Sequence, residues 1–93
     1  MKTIWKCQLE ITDEQDIRIP RDAQLLSVAE QWGRLTIWFL VDAGNECVKR
    51  RILVIGTGNP IDGSYEYLEL DFIGTAVMSN VLVWHVFDAC PFE

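Results

Sequence analysis

Along this chain apolar residues recur at every second position far more often than at every third or fourth. That period belongs to side chains alternating across extended backbone, not to a helical stripe. From Ile4 to Ile11, Trp5, Cys7, Leu9 and Ile11 are apolar while Lys6, Gln8 and Glu10 are polar, which predicts a half-buried strand with the first set inward. Ile17-Arg18-Ile19 gives a short extended piece stopped by Pro20, a residue confined to edges and bends. Leu25 to Gln31 and Leu35 to Val41 flank Trp32-Gly33-Arg34 and read as a hairpin. Its second arm puts Leu35, Ile37, Phe39 and Val41 on one face and Thr36, Trp38 and Leu40 on the other. Residues 23–31 also suit two helical turns, and that alternative stays open.

After a turn at Asp42-Ala43-Gly44-Asn45, the run Val48 to Ile55 begins basic and ends apolar, and Gly56-Thr57-Gly58-Asn59-Pro60 breaks it. From Tyr65 to Ile73, Leu68, Leu70 and Phe72 alternate with Glu69 and Asp71, and Gly74 marks a bulge or turn. Ala76-Val77-Met78 then joins Val81 to Phe87 through a tight turn at Ser79-Asn80. With turn signals about every ten residues, the expected fold is all-β, a single small sandwich or barrel of six or seven mainly antiparallel strands with little or no helix. The last run lacks a polar face: Val81, Val83, His85 and Phe87 alternate with Leu82, Trp84 and Val86. Such a strand needs cover on both sides, from another layer of the fold, a second subunit or a ligand.

Ninety-three residues suit one domain with a thin core, because folding at this size removes only about two-thirds of the unfolded chain's surface. Half-apolar composition and four tryptophans favour dense packing or an exposed aromatic surface, and a homo-oligomer would satisfy both. A net charge of −6 denies the chain the positive field that tracks a phosphate backbone, so direct nucleic-acid binding is not expected. Cys7, Cys47 and Cys90 are odd in number and far apart, which speaks against a disulfide framework and against a zinc knuckle. With no signal-peptide core at Met1–Lys6 and no apolar stretch of membrane-spanning length, the expected compartment is the cytoplasm.

The chemistry is sparse. His85 is the only histidine and sits among hydrophobes, so it reads as a core residue, and neither a metal site nor a cofactor is expected. Gly56-Thr57-Gly58 follows an apolar strand directly, so its amides can approach a phosphate, with Arg50 or Arg51 supplying charge; a plain turn is the alternative. The loop matches neither the G-x-x-x-x-G-K nor the G-x-G-x-x-G pattern. Asp13-Glu14 and Glu69-x-Asp71 read as solvated carboxylates, and Ser27, Ser64 and Ser79 lack a nucleophile motif, so no catalytic residue is expected.

Met1-Lys2-Thr3-Ile4-Trp5-Lys6, Leu9-Glu10-Ile11-Thr12-Asp13, Gly56-Thr57-Gly58-x-Pro60-Ile61, Ile73-Gly74-Thr75 and Val83-Trp84-His85-Val86-Phe87 together resemble a family of short phage-encoded proteins of unassigned function, over nearly the whole chain. The resemblance implies a viral origin and a role in the host cytoplasm. For a small acidic phage protein without catalytic machinery, the expected role is to counteract a host defence. One route is to sequester a nucleotide-derived immune signal, with Gly56, Thr57, Gly58 and Arg50 or Arg51 around phosphate, Trp38 or Trp84 against a base, and Asn59 and His85 also among the ligand-binding residues. The other routes are blockade of a host defence protein through an aromatic or acidic surface, as a CRISPR inhibitor or nucleic-acid mimic, and a part in virion assembly.

Overall fold

The computed structural model describes residues 1–65 and 70–89, and seven strands run through them. They are β1 (Lys2–Gln8), β2 (Glu14–Pro20), β3 (Gln24–Gln31), β4 (Arg34–Asp42), β5 (Cys47–Gly56), β6 (Asp71–Met78) and β7 (Leu82–Asp88), with one 3-10 turn at Gly63–Tyr65. A three-stranded sheet has the order β1-β4-β3 and a four-stranded sheet the order β2-β5-β7-β6. All five pairings are antiparallel. The expected all-β architecture is the observed one: two sheets, without closure into a barrel. No helix among the described residues is long and apolar enough to cross a membrane.

One core forms between the sheets from the inward sets predicted by alternation. Leu35, Ile37, Phe39 and Val41 of β4 meet Ile52 and Val54 of β5, Val86 of β7 and Ile19 of β2. Ile37, Ile52 and Val86 are fully enclosed, so deletion of any one would leave a cavity costing a few kcal/mol. The sheets converge where β3 runs beside β6. Gly74 sits there because a Cβ in its place would lie 3.1 Å from Val28 Cγ2. The predicted irregularity at Gly74 is a bulge, with the register shifting between Phe72 and Gly74.

Residues 23–31 are strand, not helix. A bulge between Leu25 and Ser27 breaks their alternation, which is what left the helical reading open. The first strand is shorter than predicted and ends at Gln8. Leu9 keeps the same register, donating its N–H to Leu35 O at 2.8 Å and burying its side chain; Ile11 falls in the following bend and is 46 % exposed. Trp5 lies opposite Phe39 on the inner face yet remains 41 % exposed, because β1 is a free edge.

The strand predicted from Tyr65 begins instead at Asp71. Tyr65 belongs to the 3-10 turn and packs on Leu53 and Ile55, with Ala89, Leu70 and Phe87, in a second cluster on the outer face of the four-stranded sheet. Burial, and then the Glu14 carboxylate that accepts its O–H, push the Tyr65 hydroxyl above its ordinary pKa. Leu68 and Glu69, also assigned to that strand, lie outside the described residues, as does Cys90. This cluster supplies part of the second cover that β7 needs. The rest of that face is open, with Phe72 61 % and Val77 53 % exposed.

A half-buried ion pair ties β5 to β7. Arg50 holds Asp88 through Nη2 at 2.6 Å and Nε at 3.2 Å, and donates Nη1 to Ala23 O just before β3. Arg51 holds Asp16 across β2, with both side chains well exposed. Asp88→Ala, which strands a desolvated guanidinium from its carboxylate, is expected to lower the unfolding free energy in urea by about 3 kcal/mol, and Asp16→Ala by less than about 1 kcal/mol. The hydrogen bond from Arg51 holds the Asp16 carboxyl below its usual pKa, so its small contribution is complete above the unfolded carboxylate value and is lost as pH falls through the lower folded one.

Candidate functional site

The end of β5 and the start of β7 meet at a turn. Asn59 N–H donates to Gly56 O at 3.0 Å, and Gly58 takes φ +87°, the left-handed value that the third position of a type II turn demands. The ladder beside it pairs Ile55 with His85 and Gly56 with Trp84. Because directly opposed residues share a face, His85 joins Ile55 and Thr57 on the outer face while Trp84 joins Gly56 on the inner one.

His85 therefore lies between two threonines. Its Nε2 is 2.7 Å from Thr57 Oγ1 and its Nδ1 is 3.0 Å from Thr75 Oγ1 on β6. Hydroxyl donors sit closer to their acceptors than N–H donors do, so the spacing fits Thr57 donating into Nε2 and Nδ1–H donating to Thr75. Both ring nitrogens are thus engaged by hydroxyls, which hold the orientation of the ring. The row presents hydrogen-bonding groups outward, since both threonines are exposed.

On the inner face Trp84 needs Gly56. A Cβ at Gly56 would lie 3.2 Å from Trp84 Cζ3 and 2.8 Å from Asn59 Nδ2, so the glycine lets the indole and the Asn59 side chain pack closely over the turn. The indole Nε1 is buried and has no hydrogen-bond partner among the described residues. Between the Gly56–Asn59 turn and Val81–Trp84 is a notch of about 290 Å³, at the lower bound of typical small-molecule pockets. Val81 and Leu82 at its lip are 77 % and 50 % exposed.

Of the residues singled out from the sequence, Gly56, Thr57, Gly58, Asn59, Trp84 and His85 come together here. Arg50 and Arg51 do not. They sit five and six residues back along β5, roughly 17–20 Å away, and their guanidinium groups are committed to Asp88 and Asp16. Trp38 is in the other sheet, on its outer face opposite Lys6 and Ser27. No group of three or more metal-ligating side chains occurs among the described residues.

Thr75, Val81, Leu82 and Val83 complete the site and were not singled out. Their signal is the hairpin turn: once Ser79 and Asn80 take φ of 54° and 57°, the register places Thr75 against His85 and Ala76 against Trp84.

No curated protein and no solved structure matches the chain. Residues 1–92 match a family described as a domain of unknown function, DUF7352, and the chain belongs to that family.

Proposed function

We propose that this chain is a phage-encoded binding protein that antagonises a host defence by holding a nucleotide-derived signal, chemically unchanged, in the notch beside Trp84. The observation that carries this reading is the indole of Trp84, which walls the notch beside the Gly56–Asn59 turn. The flat indole suits stacking against a ring system on a bound ligand. The phage origin and the anti-defence role rest on the sequence resemblance.

The positions of Arg50 and Arg51 narrow the ligand. With both guanidinium groups held by carboxylates at the other end of β5, the backbone amides of the Gly56–Asn59 turn are left to meet a phosphate. In a chain of net charge −6, the notch favours the base or sugar portion of a signal over a multiply charged phosphate chain. The role of His85 is to position Thr57, which lines the notch.

A second reading, blockade of a host defence protein, draws support from the open apolar face carrying Phe72 and Val77.

Calorimetric titration with cyclic nucleotides and ADP-ribose-type signals is expected to give saturable binding, with the ligand recovered unaltered after heat denaturation. Trp84→Ala removes the ring that walls the notch and is expected to weaken binding about tenfold. Gly56→Ala is expected to weaken binding by shifting Trp84 and the Asn59 side chain from their places. Recovery of an altered product would make the protein an enzyme instead. Phe72→Glu combined with Val77→Glu separates the two readings: loss of the anti-defence effect with ligand binding intact would favour blockade.

A further inference from the structure

Two features outside the notch fit each other. The first is the β3–β4 turn, where Trp32 and Gly33 take φ of 54° and 77°. Positive φ at both central positions is the requirement of the type I′ turn, which asparagine or glycine meets readily and tryptophan does not. Trp32 is nevertheless held in this conformation at the tip, 81 % exposed, with Lys6 Nζ 4.4 Å from its ring centroid and Gln31 Oε1 accepting from the same ammonium at 2.5 Å. The result is a rigid aromatic knob flanked by the cations of Lys6 and Arg34, on a chain whose net charge is negative.

The second feature is a cavity of about 230 Å³ on the outer side of the four-stranded sheet. Its floor includes Leu53, Ile55 and Tyr65, and its rim carries the carboxylates of Asp13, Glu14 and Asp62. An apolar floor under an acidic rim is complementary in both respects to an aromatic side chain accompanied by cations.

We propose that Trp32 of one copy of this chain seats in the Leu53–Ile55–Tyr65 cavity of a second copy, with Lys6 and Arg34 meeting Asp13, Glu14 and Asp62. The contact joins different surfaces of the two copies, so each pairing leaves one knob and one cavity unoccupied. It therefore builds rings or longer chains, not closed two-fold dimers. It also explains why a strained position carries a large exposed aromatic: the left-handed backbone aims the indole outward, and its burial occurs on association.

The test uses the full chain in analytical ultracentrifugation with three proteins. The wild type is expected to self-associate with increasing concentration. Trp32→Asn, which gives the turn a residue suited to positive φ, is expected to fold at least as stably and to weaken association at least about 30-fold. Asp13→Lys combined with Asp62→Lys keeps the knob and is expected to be monomeric. Mixing the two variants restores one intact knob and one intact cavity, so a 1:1 heterodimer that grows no further is the expected result. A wild type that stays monomeric at its highest soluble concentration would overturn the proposal. So would a Trp32→Asn protein that associates like the wild type, as it would through the open Phe72–Val77 face, or a mixture that stays monomeric. These readouts need no ligand and are independent of the notch.

Discussion

The pairing of β5 with β7 is the constraint on which the rest of the molecule depends. It lies in the middle of the four-stranded sheet and contributes Ile52, Val54 and Val86 to the core. The same register puts Ile52 opposite Asp88 at one end, within reach of Arg50, and Gly56 opposite Trp84 at the other. A shift by one residue would turn Val86 outward, separate the ion pair and remove the glycine from under the indole. Stability and the candidate site therefore share one structural cause, with the ion pair locking the end of the ladder away from the notch.

β7 has no polar face, and the structure divides the cover that it requires. Inside, Trp84 and Val86 pack on the core. Outside, Phe87 is covered by the Leu53–Tyr65 cluster and His85 is framed by Thr57 and Thr75, while neighbouring Phe72 and Val77 on β6 stay open. A strand that begins the reading as uniformly apolar thus presents three environments along its length. The polar row at His85 arises because two hydroxyls, and not hydrophobes, lie beside the histidine.

Most of the fold was legible because alternation is a local property, and local patterns survive wherever one face is buried. Legibility failed where long-range contacts decide. The pairing of β1 with β4 reaches only to Leu9, which bonds to Leu35 and leaves Ile11 outside it, and Tyr65 leaves the predicted strand because Leu53 and Ile55 offer it a buried seat. At the site, the Gly56–Asn59 turn with Trp84 and His85 was visible as motifs. The fate of Arg50 was not, since the carboxylate that captures it lies 38 residues away. A sequence displays charges, but only the register of strands tells which are already matched.

The central claim is that Trp84, and not another of the tryptophans, meets the ligand. The indole N–H resonances of Trp5, Trp32, Trp38 and Trp84 in a ¹⁵N-labelled sample, assigned with Trp84→Phe, test it most directly. Adding the bound cyclic nucleotide or ADP-ribose-type signal is predicted to shift the Trp84 indole proton as a ring system stacks against its indole, while that of Trp38 stays in place. A saturable shift confined to Trp38, Trp32 or Trp5, with the Trp84 resonance unmoved, would contradict the account.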